Sequence, residues 1–361
     1  MASLPGCNNY CVCVALLLLC ALVCRAASRT VSHVVEVESV EPHAESMEER
    51  HQRWMAQHGR SYTDDAEKQR RLAIFKSNVE YIESFNKVEG RQYKLGINEF
   101  ADLTKEEFRA RYLMGSKAMP RSPVPALDQR EPFFYGNVTV EGLPSEKDWR
   151  KQGAVTGVKD QYGTCGSCWA FASVAAMEGA VKIKRGNLVS FSEQELVDCA
   201  TSYGNGGCNG GFMNSAYIYI VQRGGLASER DYPYEGAQGT CKAWDVPRAE
   251  RIVSFGYVRQ NDEQALLEAV ARQPVAVGFD AHDDGFAYYE SGIYAGPCGT
   301  EWSHSLAIVG YGTTSDGTKY WLAKNSWGGS WGEGGFVRIK RDIDDVQGMC
   351  GLAMLPIYPI A

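Results

Sequence analysis

The stretch that most constrains this chain is Gln161-Tyr162-Gly163-Thr164-Cys165-Gly166-Ser167-Cys168-Trp169-Ala170-Phe171. Gly166 and Ser167 are small and turn-forming, and Ser167 reads as an N-cap. From Cys168 to Lys184 the chain is rich in alanine and runs into Gly186, which predicts a helix with Cys168 in its first turn. The unpaired N–H groups and the dipole at that end favour a thiolate, and a neighbouring imidazolium would favour it further. Two downstream segments offer partners. His304 opens a strand-like apolar run in Ser303-His304-Ser305-Leu306-Ala307-Ile308-Val309, and Asn325 stands in Lys324-Asn325-Ser326-Trp327-Gly328.

The chain has 361 residues, enough for two domain-sized units, and a formal net charge of −7 with no basic run, which argues against nucleic acid as a partner. Val12 to Cys24 is apolar and uncharged but too short to span a bilayer comfortably, and it fits the core of a signal peptide cleaved after about residue 26. Of 12 cysteines, Cys7, Cys11, Cys13, Cys20 and Cys24 belong to that leader. Cys165, Cys168, Cys199, Cys208, Cys241, Cys298 and Cys350 remain, an odd set that on the secretory route predicts three bridges and one free thiol. Spacing alone does not choose among the pairings.

Helices are expected at 45–58, 64–88, from Thr104 to about residue 113, 213–223 and 261–273, with a further helical start at Ser192, and strands at 275–279, 306–311, 320–324 and 336–340. Within 64–88, Leu72, Phe75, Val79 and Ile82 form one apolar stripe, and Glu67 with Arg71 forms an i,i+4 pair worth a few tenths of a kcal/mol. Thr104-x-x-Glu107 and Ser192-x-x-Glu195 read as capping boxes. Residues 115–127 read as an extended connector, and Asn137-Val138-Thr139 is a glycosylation sequon.

Glu67, Arg71, Phe75, Asn78, Ile82 and Asn86 fill every place of the interspersed Glu-Arg-Phe-Asn-Ile-Asn pattern of cathepsin-L-like prosegments, and Gly96, Asn98, Phe100 and Asp102 fill the companion Gly-x-Asn-x-Phe-x-Asp pattern. With Cys165-Gly-Ser-Cys168-Trp169, these motifs make the chain resemble the papain-like, cathepsin-L-like cysteine peptidases, above all their plant members, over nearly everything after the leader. The resemblance implies an α+β, papain-like two-subdomain fold. A helical left subdomain and a β-barrel-like right subdomain would flank an active-site cleft, preceded by a helical inhibitory prosegment. The divisions would be 1–26 signal peptide, 27–142 prosegment and 143–361 mature peptidase.

On the same resemblance, Cys168 is the nucleophile, His304 the base and then acid, Asn325 the orienter of His304, and Trp327 the cover over that bond. Gln161 with the Cys168 N–H forms the oxyanion hole. Gly166, Ser167, Gly210 and Gly211 border the substrate, and Phe212, Met213, Gly278, Trp302, Ser305 and Leu355 wall an uncharged pocket that selects an apolar P2 residue over arginine. The implied bridges are Cys165–Cys208, Cys199–Cys241 and Cys298–Cys350. No cofactor or metal is implied. The expected partners are protein and peptide substrates, the chain's own prosegment and cystatin-type inhibitors, with no nucleic acid, no membrane once the signal is removed, and a monomeric state. The location is the secretory pathway, vacuole or lysosome, or outside the cell. Glu99 and Asp102 are acid-titrating groups whose protonation would loosen the prosegment near about pH 4–5.

Three other readings compete. Cys165-Gly-Ser-Cys168 is also a C-x-x-C, but a thiol oxidoreductase wants a compact βαβ context that is absent here. A zinc site from Cys165, Cys168, Cys199 and Cys208 conflicts with the secretory leader. A catalytically inactive binding or storage protein on the same fold is the more serious alternative. One departure from the family matters: Gln161-Tyr162-Gly163-Thr164-Cys165 carries one residue more than the usual Gln-Gly-x-Cys. Either Gln161 keeps its role and the insertion bulges, with Gly163 absorbing an irregular turn, or Tyr162 takes the place of the glutamine. The first alignment is favoured because Lys159-Asp160-Gln161 preserves the family's lead-in.

Overall fold

A computed structural model describes residues 45–114 and 142–361. The leader, the connector and the Asn137 sequon lie outside the described residues.

The chain begins with helix α1 (Met47–Gln57), closed by Gly59 at φ +59°, and helix α2 (Asp65–Asn86), whose N-cap Asp64 accepts from the Glu67 N–H. Phe75, Val79, Ile82 and Phe85 of α2 are buried as a helical stripe should be. Leu72 departs from expectation: it is half-buried, and Arg71 occupies the buried position beside it. Its guanidinium is held at 2.7 Å by Glu67, by the Asp102 carbonyl and by Glu107. That network replaces the isolated surface pair. Strand β1 (Tyr93–Leu95) and helix α3 (Lys105–Tyr112) follow, and α3 opens with the complete Thr104/Glu107 capping box.

The helical half is built on α4 (Cys168–Arg185), α5 (Glu193–Cys199) and α6 (Met213–Arg223). Helix α4 is buried on all sides for most of its length, which its run of small residues permits. A Cβ on Gly179 would stand 2.4 Å from the Pro274 ring, so the helix lies tight against the β half there. Two caps depart from expectation. Ser167 makes no capping hydrogen bond. Ser192 caps the Glu195 N–H, but Glu195 does not reach back. Its carboxylate is taken by Arg223, Tyr219 and the Ala227 N–H, so the box is half formed.

The β half comprises β2 (Lys147–Asp148), β3 (Ser254–Tyr257), helix α7 (Glu263–Arg272), β4 (Val275–Phe279), the single turn α8 (Asp284–Ala287), β5 (Tyr289–Tyr294), β6 (His304–Thr313), β7 (Lys319–Lys324), β8 (Phe336–Lys340) and β9 (Ile357–Ile360). Among the described residues the strand order is β1-β5-β8-β7-β6-β4-β9-β3, with β2 paired to β6. Only β5 and β8 pair in parallel. The strands with apolar runs were legible, whereas β2, β3 and β9 are short, β9 carries Pro359 within its run, and the run of β5 is broken by Glu290, Ser291 and Gly292. Helix α7 starts two residues later than expected, because Asn261 sits at φ +55° and Asp262 is the N-cap.

Strand β1 adds to the open edge of β5, with Tyr93 opposite Gly292. The segment 47–114 is therefore stitched into the main sheet. Its own small core is Trp54, Phe75, Val79 and Ala101, while Phe100, Leu103, Phe108 and Leu113 join the core of the β half. Ala175 of α4 packs on Ala307 and Val309 of β6 and Leu322 of β7. That contact sets the start of α4 beside the start of β6, which positions the site.

Candidate active site

Cys168 is the first residue of α4, and His304 is the first of β6; both are fully buried. Phe279 of β4 pairs with His304 and holds its backbone. Asn325 follows the last residue of β7, and its N–H donates to the Gly335 carbonyl at 3.0 Å. Its side-chain oxygen accepts from the Ser326 N–H at 2.8 Å. The same oxygen lies 2.8 Å from His304 Nε2, so that nitrogen donates and the neutral ring keeps Nδ1 as its acceptor. Nδ1 has no hydrogen-bond partner among the described residues. Trp327 lies 4.6 Å from the His304 ring, centroid to centroid, tilted by 32°. Cys168 is the free cysteine among the described residues; Cys165–Cys208, Cys199–Cys241 and Cys298–Cys350 are joined.

The protonation state differs from the sequence expectation. Burial pushes the Cys168 thiol up to about 12, outweighing the hydrogen bonds to Ser305 that pull it down. Burial likewise lowers His304 to about 4, against the Asn325 bond that raises it. The pair is neutral in this state, because desolvation disfavours both charges more than the helix end and the Asn325 bond favour them.

The desolvation has a visible source. The last residue of α3 and the two that follow it, Tyr112-Leu113-Met114, lie against these groups. Gln161 is fully buried, and its Nε2 donates to the Tyr112 carbonyl at 3.1 Å. Its Oε1 accepts from the Ser326 hydroxyl at 2.7 Å, which fixes which way the amide points. A Cβ on Gly166 would stand 3.4 Å from the Leu113 carbonyl and 2.9 Å from that of Cys208, so only glycine admits this backbone approach. The Met114 N–H donates to the Ser303 carbonyl at 2.8 Å. Phe100, Phe108 and Tyr112 present their rings to Trp327 edge-on, at 5.6, 5.3 and 6.3 Å.

Met114 is buried in the apolar cluster that contains Cys168 and Met213, with Trp302 and Leu355 at its border. Phe212 packs on Trp302 at 5.5 Å, and a Cβ on Gly278 would stand 2.9 Å from the Trp302 ring. Trp302 Nε1 donates to the Ser305 hydroxyl at 3.1 Å. Trp302 therefore occupies the room that Gly278 opens. Gly210 (φ +114°) and Gly211 precede Phe212, and a Cβ on Gly211 would stand 2.7 Å from the Trp169 ring.

The extra residue bulges at Tyr162, which is half-exposed, while Gln161 stays inside. The left-handed residue is Tyr162 itself, at φ +55°, and not Gly163. Gly163 serves another purpose: a Cβ there would lie 2.8 Å from the Tyr112 ring. Sequence reasoning missed Ser326, which follows Asn325 directly and holds both the Asn325 and Gln161 side chains. It also missed Tyr234, for which no motif spoke.

The arrangement brings a free thiol, an imidazole and its amide partner into one buried cluster with the backbone of residues 112–114 lying against it. Residues 143–360 match the papain family cysteine protease domain, and residues 51–108 match the cathepsin propeptide inhibitor domain (I29). The chain belongs to the papain family of cysteine proteases. It is 48% identical over 314 residues to fruit bromelain of Ananas comosus, covering 87% of this chain and 86% of that one. It is 51% identical over 318 residues to the senescence-specific cysteine protease SAG39 of Oryza sativa subsp. japonica, covering 88% and 91%. Among solved structures, the recombinant stem bromelain precursor superposes with a TM-score of 0.78 at 43% identity, covering 87% of this chain and 98% of that one. Procathepsin L 3 of the Tenebrio molitor larval midgut gives 0.77 at 35%, covering 88% and 100%. The protein is a papain-like cysteine endopeptidase with its propeptide attached, and an inactive storage or binding role is not favoured.

Proposed function

We propose that the mature enzyme hydrolyses peptide bonds through Cys168 and His304, with Gln161 and the Cys168 N–H as oxyanion donors. The observation that carries this reading is the Tyr112 carbonyl, which accepts from Gln161 Nε2 at 3.1 Å, as a scissile carbonyl would. Once Tyr112-Leu113-Met114 leaves, water returns, the desolvation of both groups falls, and the Cys168 proton passes to His304 Nδ1. The thiolate then attacks the carbonyl carbon. A carbon–sulfur bond forms, and negative charge moves to the oxygen held by Gln161. His304 returns the proton to the leaving amine as the carbon–nitrogen bond breaks. In the second half His304 takes a proton from water, the hydroxide displaces sulfur, and acid and thiolate are regenerated. Asn325 holds the His304 tautomer without adding a charge.

Phe212, Met213, Gly278, Trp302, Ser305 and Leu355 form the pocket for P2, with Gly166, Ser167, Gly210 and Gly211 along the extended substrate. Met114 buried beside Cys168 and Met213 supports an apolar occupant. A P2 arginine would lose its hydration there without a counter-charge, which costs several kcal/mol. The leader (1–26) would direct the chain to the secretory route, and the prosegment (27–142) would be removed in the vacuole, lysosome or extracellular space to leave 143–361. The test is a fluorogenic peptide panel on acid-matured protein in reducing buffer. P2 Leu and Phe substrates turn over and an epoxysuccinyl inhibitor stops them, whereas equal kcat/KM for P2 Arg and P2 Leu would overturn the pocket assignment.

A further inference from the structure

Tyr234 has no role in the scheme above, yet it reaches both ends of the segment from Gln161 to the nucleophile. Its hydroxyl lies 2.7 Å from the Gln161 carbonyl and 2.6 Å from Ser167 Oγ. A carbonyl only accepts, so the single Tyr234 proton goes to Gln161, and the Ser167 hydroxyl donates to Tyr234. Ser167 itself stands at φ −99° and ψ 14°, outside the extended region in which an N-cap side chain reaches the helix N–H groups, and its hydroxyl turns to Tyr234 instead. The Tyr234 ring meets Phe171, in the first turn of α4, edge-on at 4.9 Å, and lies 5.8 Å from the Tyr162 ring. Thr164 Oγ1 donates to the Gly236 carbonyl at 2.7 Å, so the far side of the bulge is tied to the same loop.

The inserted residue gives such a tie a purpose, beside the 3.3 Å bond by which Gln161 Nε2 also donates to the Cys165 carbonyl across the bulge. Gln161 is separated from Cys165 by a longer and partly left-handed segment, with the Cys165–Cys208 bridge at one end and the Ser326 contacts at the other. Between them, the Tyr234 hydroxyl is the group that bonds both Gln161 and the residue before the nucleophile. An oxyanion site needs its donors placed to a fraction of an ångström, and a misplacement of about 1 Å costs on the order of 10²-fold in rate.

We propose that Tyr234 is a positioning residue for the oxyanion site: its hydroxyl bridges the Gln161 backbone to Ser167, so that Gln161 Nε2 and the Cys168 N–H converge despite the extra residue. The proposal rests on the reading of Gln161 as an oxyanion donor. It acts through the backbone, and Tyr234 does not touch the substrate.

The experiment uses acid-matured enzyme carrying Tyr234→Phe, which keeps the ring packing and removes the bridge. Three readouts are taken: kcat and KM on one peptide substrate, the affinity of a peptide aldehyde whose hemithioacetal oxygen occupies the oxyanion site, and the rate of Cys168 alkylation by iodoacetamide across pH. The expected result is a fall of about tenfold in kcat with little change in KM, a matching loss of aldehyde affinity, and an unchanged alkylation profile. Unchanged kcat and aldehyde affinity would overturn the proposal. So would an alkylation rate that falls with kcat, since Tyr234 would then act on the thiolate or on folding. Gln161→Ala run alongside separates the two levels. If it leaves aldehyde affinity intact, the oxyanion reading itself fails; if it weakens aldehyde binding and Tyr234→Phe does not, only the positioning role fails. Should Tyr234→Phe not accumulate, Ser167→Ala, which removes one arm of the bridge, must lower kcat and aldehyde affinity together by about twofold or more, and no change in either overturns the proposal.

Discussion

At the scale of single residues, Gln161 and Tyr162 divide the two alignments cleanly. Gln161 is inside, with its amide oriented by Ser326 and aimed at the Tyr112 carbonyl, while Tyr162 is half-exposed on the bulge. Losing an oxyanion donor typically costs about 10²–10³ in kcat. Gln161→Ala should therefore lower kcat in that range with KM nearly unchanged, and Tyr162→Phe should be nearly silent in the same steady-state assay. The reverse ranking would move the donor to the tyrosine. The residues legible in the sequence were those with a fixed motif around them: Cys168, His304, Asn325 and Gln161. The misreadings share one cause. Ser167 looked like a cap and Gly163 like the strained turn residue because only chain neighbours were visible. In the fold, a residue distant in sequence claims each of them: Tyr234 bonds the Ser167 hydroxyl, and Tyr112 fills the space beside Gly163.

At the scale of elements, α2 and α3 are joined by a clamp that periodicity concealed. Arg71 is buried between Glu67 and Glu107, and it also supports the Asp102 carbonyl. Arg71→Ala leaves Glu107 without its main partner. With both carboxylates partly exposed, the loss should be about 2–3 kcal/mol in the prosegment unit. Inhibitor labelling of the uncleaved chain at neutral pH reads it, as a rise in the rate at which Cys168 becomes accessible; an unchanged rate would show that the clamp does not support the cleft segment. The same network bears on acid activation. Burial works against the Glu107 carboxylate, but hydrogen bonds from Arg71 hold it down to about 2; Glu67 is held to about 2 by Arg70 and then Arg71. Groups depressed in this way contribute stability above their ordinary value near pH 4.5, and lose it only as the pH falls toward about 2. The clamp is thus largely intact at about pH 4–5. Glu99 corrects the sequence expectation outright. Burial raises its carboxyl, so protonation relieves the docked state and does not loosen it.

Histidines share the sign of these depressed carboxylates but start from an ordinary value near 6.5, above the range in which the clamp gives way. His51 is buried against Trp54, Tyr62 and Phe75, with Nε2 3.2 Å from the Tyr62 hydroxyl, which in turn donates to Asp102. His58 packs on Trp54, and its Nε2 is buried without a hydrogen-bond partner among the described residues. Burial lowers both. Asp102 opposes this at each, Lys68 adds to it at His51, and Arg60 adds to it at His58. Their folded values lie below the unfolded value near 6.5, so the unfolded segment binds protons more readily. The stability they represent is present above about pH 6.5 and is lost as the pH falls through the folded values. His58→Gln should move the midpoint of acid maturation to lower pH, measured as the pH dependence of the processing rate. A midpoint that stays where it is would remove His58 from the trigger.

At the scale of the whole molecule, propeptide and peptidase share one sheet and one aromatic core. Strand β1 extends the sheet at β5, Asn98 donates to the Ala287 carbonyl at 2.7 Å, and three propeptide rings rest on Trp327, which covers His304. The division into a helical and a β half was legible, because long apolar runs such as Leu306–Tyr311 carry their own signal. The sharing was not, because the three-residue β1 carries no pattern of its own and is ordered by pairing with β5 across a long sequence separation. On the proposed reading the site is assembled but covered: Cys168 and His304 are both buried, burial disfavours the charged form of each, and the Tyr112 carbonyl accepts from Gln161 Nε2 where the oxyanion is proposed to form. The most direct test is mass spectrometry of the protein treated with an epoxysuccinyl peptide, before and after acid maturation. The account requires one adduct, on Cys168, formed rapidly on the mature chain and slowly or not at all on the uncleaved one. An adduct at equal rates in both forms, or none on Cys168 after maturation, would contradict it.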